Sequence, residues 1–217
     1  MIKDERLVTY INSLDRGNTK LLEEIEREAI ETYVPIIRKE TQQFLKWLLT
    51  LRKPEKILEI GTAIGFSALF MAEYTPVPCD IDTIENYEKR IPIAQENFKR
   101  AGNDRITLLK GDANDILPTL KSNYDFIFMD AAKGQYLSFL PQVVRLLKPG
   151  GVLVSDNVLQ EGDILESRFA VTRRNRTIHK RMREYLYKLT HHEAMVTAIL
   201  PVGDGISVST KKEEEKS

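Results

Sequence analysis

The spacing of apolar residues predicts helices in the first quarter of the chain and alternating strands and helices after it. Apolar side chains recur every three or four residues in the segments 7–14, 22–33 and 44–49, which is the periodicity of an amphipathic helix. From Lys56 onward, short apolar runs alternate with helical stretches. The pattern predicts strands at 56–60, 81–84, 106–109, 124–129, 151–155, 196–200 and 205–210.

This order of elements predicts an α/β fold. Strands that alternate with helices form a mostly parallel sheet with helices on both faces. The last two strands are joined by Val202-Gly203-Asp204-Gly205, which is too short for a crossover helix, so the seventh strand should be antiparallel. We expect residues 1–217 to form a single domain, with N-terminal helices at 1–52, a cofactor-binding α/β core at 53–210 and a disordered tail at 211–217.

Composition excludes several classes of protein. Lys plus Arg and Asp plus Glu both number 32, so the zero net charge gives no global signal for a polyanion partner. Cys79 is the single cysteine, which rules out an internal disulfide framework and fits a reducing compartment. The sequence has no apolar run that resembles a signal peptide or a membrane helix. We therefore expect a cytoplasmic protein with no membrane partner.

A glycine turn follows the first predicted strand and indicates a ligand site. In the run 56–67, Gly61 and Gly65 would let the backbone approach a bound molecule closely, at the sheet edge where α/β proteins bind ligands. The third glycine of the dinucleotide fingerprint is missing. Glu59, two residues before Gly61, gives the form seen in S-adenosylmethionine (SAM) methyltransferases. A nicotinamide or flavin cofactor and a purely structural turn remain alternatives.

The next two strand ends fall where a SAM site would need them. The second predicted strand ends at Glu85, and an acidic residue there can accept hydrogen bonds from ribose hydroxyls. The third is followed by Gly111-Asp112-Ala113, where a short polar side chain could meet an adenine edge. The alternatives are a solvated carboxylate at Glu85 and ordinary turn chemistry at Asp112.

Two further strand ends predict a metal site. Asp130 follows the fourth predicted strand, and Asp156 and Asn157 follow the fifth. Since these strands should be neighbours, two carboxylates and an amide would converge, and such oxygen ligands suit Mg²⁺, Mn²⁺ or Ca²⁺ rather than zinc. The alternative is that Asp130 only forms hydrogen bonds and Asp156-Asn157 only caps a loop. The histidines at 179, 191 and 192 lack partners at ligand spacing, and we expect them on the surface or on a helix face.

Three segments together resemble the cation-dependent O-methyltransferases, the group that contains the catechol and caffeoyl-CoA enzymes. They are residues 60–67, residues 129–136 and Asp156-Asn157-Val158-Leu159. The resemblance implies a Rossmann-like SAM-dependent methyltransferase fold, and the family is commonly dimeric, so a homodimer is expected. It implies SAM contacts, besides the glycine turn, at Ile37, Ser67, Glu85, Asp112, Ala113 and Asp130. It also implies metal ligation by Asp130, Asp156 and Asn157, and a catalytic lysine at Lys133.

The chemistry explains why such a site favours adjacent oxygens. A divalent cation lowers the pKa of a bound hydroxyl and fixes its position, and it can chelate two neighbouring oxygens. Catechols offer two hydroxyls, and 5-hydroxyuridine offers a hydroxyl beside a carbonyl. Lys133 would take the proton or hold the oxyanion, with a solvated surface lysine as the alternative.

The choice of substrate depends on a basic segment after the fifth strand. Together with Pro201-Val202-Gly203-Asp204-Gly205, this segment carries a narrower resemblance to bacterial tRNA 5-hydroxyuridine methyltransferases. Arg173, Arg174 and Arg176 could contact phosphates of a tRNA anticodon loop, and the predicted function is methylation of 5-hydroxyuridine at the wobble position. The alternative substrates are small catechol-like or hydroxycinnamoyl phenols, with the arginines as a solvated helix face. A non-catalytic SAM-binding or RNA-binding module is a further alternative.

Overall fold

The computed structural model describes residues 5–121, 123–167, 169–173 and 175–213. Three helices come first: α1 (Glu5–Ser13), α2 (Lys20–Glu31) and α3 (Lys39–Arg52). Alternating elements follow, namely β1 (Lys56–Ile60), α4 (Phe66–Tyr74), β2 (Asp80–Glu85), α5 (Ile91–Ala101), β3 (Ile106–Lys110), α6 (Ala113–Ile116), β4 (Tyr124–Met129), α7 (Tyr136–Leu146), β5 (Leu147–Ser155), α8 (Arg176–Thr190), β6 (Met195–Leu200) and β7 (Ile206–Lys211).

The seven strands form one sheet in the order β3-β2-β1-β4-β5-β7-β6. The pairs among β1 to β5 are parallel, and β7 runs antiparallel to both β5 and β6. This confirms the predicted α/β fold with a reversed last strand. None of the helices in the described part of the chain is long and apolar enough to cross a membrane.

Two apolar clusters cover the two faces of the sheet, and β4 contributes to both. Phe126 and Phe128 pack with α2, α3 and α4, whereas Ile127 and Met129 pack with α7 and α8. Successive side chains of a strand point to opposite faces, so a strand that is apolar at every position is buried on both. The continuous run 126–129 therefore identifies a central strand.

The register of the central strands aligns the residues that follow them. Ile60 pairs with Met129, and Met129 pairs with Ser155. Gly61, Asp130 and Asp156 are each the next residue after one of these paired ends. The sheet therefore presents all three at the same edge, as expected for parallel neighbours.

The main differences from the predicted elements concern β5, β7 and α1. β5 begins at Leu147, directly after α7, rather than at residue 151. β7 includes Lys211, which was predicted to belong to the tail, and residues 214–217 lie outside the described part. No residue of α1 is buried, and its apolar residues Leu7, Tyr10 and Ile11 are exposed.

Candidate active site

The glycine turn after β1 is shaped by contacts within the protein. Gly61 has φ +107°, and a Cβ there would lie 2.2 Å from the carbonyl oxygen of Asp130. Gly65 has φ +85° at the N-terminus of α4, and its Cβ would lie 2.6 Å from Cε1 of Phe98. Gly61 lines a cavity at the sheet edge, whereas Gly65 does not. Gly65 makes room for a protein side chain, and the contact predicted between this glycine and a ligand stays a prediction.

Glu85 holds the glycine turn against the end of β2. One of its carboxylate oxygens, Oε2, accepts a hydrogen bond of 2.7 Å from the backbone N–H of Ala63. The other, Oε1, accepts hydrogen bonds from the N–H groups of Asn86 and Tyr87, at 3.0 and 2.8 Å. Three charge-assisted bonds fix this carboxylate where it lines the cavity.

Glu59 lies beneath the turn and is fully buried. Burial raises the pKa of Glu59 to about 7, and the nearby Ser67 and Thr83 hydroxyls oppose this rise. Thr83 donates a hydrogen bond to one carboxylate oxygen, whereas the other, Oε1, has no hydrogen-bond partner. Glu59 does not line the cavity, so any effect on a cofactor would act through its neighbours.

The cavity has a volume of about 590 Å³ and lies at the carboxyl ends of β1, β2 and β4. A volume of this size is typical of small-molecule sites. The predicted site residues that line it are Ile37, Gly61, Ser67, Glu85, Asp112, Ala113, Asp130, Lys133 and Asn157. Ile37 reaches it from the segment between α2 and α3, so this connection contributes one wall.

The predicted metal ligands lie at the strand ends of β4 and β5. Oδ1 of Asp130 lies 3.3 Å from Nζ of Lys133 and 3.3 Å from Nδ2 of Asn157. Asp156 is 2% exposed and does not line the cavity, and its Oδ1 accepts a hydrogen bond of 2.8 Å from the N–H of Asn157. Among the described residues, no three His, Cys, Asp or Glu side chains form a cluster that could hold a metal, so Asn157 would be essential to such a site.

The carboxylates of Asp130 and Asp156 are only partly offset by the ammonium group of Lys133. Burial raises the pKa of Asp156 to about 7, the charge of Asp130 adds to this rise, and Lys133 opposes it. Asn157 has φ +58°, in the left-handed region that asparagine adopts more readily than most residues with a side chain.

Two residues of this region were missed by sequence reasoning. Asp204 is 9% exposed, lines the cavity and adds to the rise in the pKa of Asp156. Because Asp204 lies between two glycines, the sequence indicated only that it would form part of a hairpin turn. Tyr136 is fully buried and its hydroxyl contacts the ends of β4 and β5. Its position three residues after Lys133 was the sequence feature that could have identified it as part of the site.

The basic segment is only partly free to meet a partner. Arg173 is exposed, and Arg174 lies outside the described residues. Arg176 donates hydrogen bonds to the carbonyl oxygens of Val171 and Phe169, at 3.3 and 3.4 Å. The guanidinium of Arg176 therefore organises the loop before α8, and its predicted contact with RNA stays a prediction.

Helix α8 also carries His179 and Arg181. His179 lies on a helix, as predicted, but it is 2% exposed, with Nε2 3.2 Å from the carbonyl oxygen of Glu166. Nη1 of Arg181 donates a hydrogen bond of 3.1 Å to the carbonyl oxygen of Gly134, the residue after Lys133. The basic helix therefore adjoins the rim of the cavity.

Comparison with known proteins gives concordant results. A family model described as O-methyltransferase matches residues 12–212. A catechol O-methyltransferase of Niastella koreensis is 36% identical over 129 residues, which are 57% of this chain and 58% of that protein. A caffeoyl-CoA O-methyltransferase of Medicago sativa is 34% identical over 182 residues, 76% of this chain and 70% of that protein.

A solved structure agrees with the sequence matches. The crystal structure of an SAH-bound methyltransferase of Podospora anserina has a TM-score of 0.86 at 27% identity, covering 96% of this chain and 94% of that one. The family model spans all seven strands and every predicted cavity residue. On this match the chain belongs to the O-methyltransferase family.

Proposed function

We propose that this protein is a SAM- and divalent-cation-dependent O-methyltransferase of small phenols with two adjacent oxygens, such as catechol-like or hydroxycinnamoyl compounds. The observation that carries this proposal is the convergence of Asp130, Lys133 and Asn157 at one wall of the cavity that Glu85 also lines. Relatives named catechol and caffeoyl-CoA O-methyltransferases support the phenolic substrate class.

The cavity residues fit SAM. Glu85 presents a fixed carboxylate suited to ribose hydroxyls, and Asp112 and Ala113 follow the next strand, where an adenine edge would lie. Ile37 contributes an apolar wall, and Ser67 adds a hydroxyl at the start of α4. The SAH-bound methyltransferase of similar fold supports this assignment.

The donor set at the other wall fits a hard cation. Asp130, Asp156 and Asn157 would supply oxygen ligands, and Mg²⁺, Mn²⁺ and Ca²⁺ prefer such ligands. Asp156 is buried beside the carboxylate of Asp130 with the ammonium group of Lys133 nearby, and a cation would offset the negative charge of the two carboxylates. When bound, SAM supplies an electrophilic methyl group, and the cation lowers the pKa of a coordinated hydroxyl.

Lys133 is the proposed catalytic residue of the chain itself. Its ammonium group lies 3.3 Å from Asp130 and its side chain is 25% exposed, so it stands at the boundary between the ligand group and solvent. In this position it would take the hydroxyl proton or stabilise the oxyanion.

Paired substrates test this proposal. The purified protein should transfer the methyl group of SAM to catechol and to a 3,4-dihydroxycinnamoyl compound in the presence of Mg²⁺. Phenol and the 4-hydroxycinnamoyl analogue, which lack the second oxygen, are the matched controls and should be poor acceptors. Undiminished activity in EDTA, or equal turnover of the monophenols, would refute the cation-dependent mechanism.

A second candidate is the wobble 5-hydroxyuridine of tRNA, and the basic start of α8 favours it. The bond from Arg181 to Gly134 brings this helix beside Lys133, and Arg173 and Lys180 are exposed on the same segment. Cations there could contact phosphates of a single-stranded loop whose base enters the cavity. Mass spectrometry of tRNA nucleosides from a strain without the gene tests this candidate: 5-hydroxyuridine should accumulate in place of 5-methoxyuridine, and an unchanged profile would exclude it.

A further inference from the structure

The hydroxyl of Tyr136 joins the backbone ends of the two strands that carry Asp130 and Asp156. It lies 3.0 Å from the carbonyl oxygen of Met129 and 3.0 Å from that of Asp156, and a hydroxyl proton can be shared between two acceptors. Met129 immediately precedes Asp130, and its carbonyl also accepts the N–H of Asp156 at 3.0 Å. One side chain therefore contacts both strand ends at the proposed cation ligands.

The position of Tyr136 makes this contact rigid. The ring is fully buried at the first residue of α7, and it meets the ring of Tyr185 edge-on at a centroid distance of 5.5 Å. The buried ring therefore holds the hydroxyl in place against the two carbonyl oxygens.

We propose that Tyr136 is a positioning residue that sets the separation of the Asp130 and Asp156 carboxylates for a bound cation. This inference rests on the proposed function, because it concerns the same cation site. Parallel strands hold their ends together by backbone bonds that stop at the last paired residues, Met129 and Ser155. Beyond that pair, Asp156 N–H and the Tyr136 hydroxyl link the backbones of the two ligand-bearing ends, and the hydrogen bond from Asn157 to Asp130 joins their side chains.

Tyr185 offers a matched control in the same cluster. Its ring is also fully buried, and its hydroxyl lies 2.6 Å from Oγ of Ser155. That bond reaches a side chain rather than the backbone of a ligand residue. Tyr136→Phe and Tyr185→Phe therefore each delete one buried hydroxyl at unchanged ring packing, with comparable expected losses of stability.

The test is titration of the purified protein with Mn²⁺, followed by electron paramagnetic resonance of the free ion. Tyr136→Phe should raise the Mn²⁺ dissociation constant about 10-fold or more, as is typical when a residue that orients metal ligands is altered. Tyr185→Phe should change the Mn²⁺ dissociation constant by no more than about twofold. It should lower the melting temperature about as much as Tyr136→Phe does. 4-Aminophenylalanine at position 136, which restores a donor, should recover the affinity of the unmodified protein.

The outcomes separate this inference from the proposed function. Absence of Mn²⁺ binding by the unmodified protein would overturn the cation site itself, and this inference with it. If the unmodified protein binds Mn²⁺ normally and every variant has the same dissociation constant, only the role of Tyr136 would be overturned. Equal weakening in Tyr136→Phe and Tyr185→Phe would also overturn it, since it would indicate a general packing effect. If Tyr136→Phe does not fold, the 4-aminophenylalanine protein decides: affinity more than about 10-fold below normal refutes the inference, and normal affinity supports it.

Discussion

The carbonyl oxygen of Asp130 occupies the space that a side chain at Gly61 would need. A Cβ at position 61 would lie 2.2 Å from this oxygen, well inside van der Waals contact. The glycine turn after β1 and the end of β4 are therefore fitted to each other, and the turn cannot change without displacing a proposed metal ligand.

Gly61→Ala should consequently impair both stability and activity. Steric overlap with Asp130 and the strain of φ +107° should together cost roughly 2–5 kcal/mol of unfolding free energy. Gly102→Ala is the matched control: Gly102 also has a positive φ, +58°, but a Cβ there meets nothing within 4 Å, so a loss of about 1–2 kcal/mol is expected with normal activity. Denaturant unfolding and methyl-transfer assays measure both variants, and equal losses would contradict the proposed close fit.

Removal of a proposed cation ligand should abolish methyl transfer while the fold remains. Asp130→Ala and Asp156→Ala should each lower kcat/KM by about 1000-fold, because several kcal/mol of charge stabilisation are lost. Asp125→Ala is the control, since Asp125 lies at the opposite end of β4, where it pairs with Lys148. Circular dichroism checks folding. Near-normal turnover by either ligand variant, or failure of added Mg²⁺ to reverse EDTA inhibition, would argue against the site.

Glu85→Gln should weaken the binding of SAM rather than slow the chemical step. The variant removes the negative charge that would accept ribose hydrogen bonds, and such bonds are equally present before and during the reaction. The loss of one charge-assisted bond predicts a KM for SAM about 10- to 100-fold higher, with kcat within about threefold. Glu88→Gln changes an exposed carboxylate three residues away and should leave the KM unchanged. A large fall in kcat at normal KM would assign Glu85 a different role.

The buried Glu59 predicts a pH-dependent stability. Its pKa of about 7 in the folded state exceeds the ordinary value of 4.5, so the folded state retains the proton longer as pH rises. The unmodified protein should therefore lose up to roughly 3 kcal/mol of unfolding free energy between about pH 4.5 and pH 7. Glu59→Gln should lack this contribution but keep the parallel one from Asp156, whose pKa is also raised to about 7, so its stability relative to the unmodified protein should be higher at pH 8 than at pH 5.

Denaturant unfolding at the two pH values measures this difference. Glu55→Gln, in the exposed turn before β1, controls for the removal of one negative charge. A difference between Glu59→Gln and the unmodified protein that does not vary with pH would show that Glu59 keeps its charge in the folded state.

Arg173 distinguishes the two candidate substrates. If tRNA is the substrate, Arg173→Ala should weaken tRNA binding and reduce the slope of log affinity against log salt by roughly 0.7–0.9. Turnover of a small catechol should stay normal, because the cavity walls are unchanged. Arg105→Ala, at an exposed site beside Asp80, is the charge-matched control. Equal loss on both substrates would mean that Arg173 supports the loop, and no effect on either would favour the small phenol.

The strand ends of the site were predictable, since parallel topology and apolar runs determine which residues meet at one edge. Glu85, Asp130 and Asn157 each follow directly from that logic, and the structure brings them to one cavity. The depth of each side chain was not predictable. Asp156 and Glu59 belong to the same edge but are buried and do not line the cavity, and the position of a residue along its strand does not report this difference in depth.

Individual contacts, some between distant elements and some within one loop, account for the other differences. Gly65 was predicted to admit a ligand, and in the structure Phe98 of α5 fills the space beside it. Arg176 was predicted to contact phosphates, and in the structure carbonyl oxygens of the preceding loop accept its hydrogen bonds. Neither composition nor periodicity reports such partners, because neither specifies which atoms meet in the folded chain.

The left-handed backbone conformation at Asn157 relates stability and activity in opposite directions. Glycine adopts φ near +58° without strain, whereas a residue with a side chain does so at a cost. A library selected only for survival of heating should therefore collect glycine at this position, and one selected for methyl transfer should return asparagine, whose amide oxygen is a proposed ligand. Thermal resistance and turnover would thus be in direct competition for the identity of a single residue.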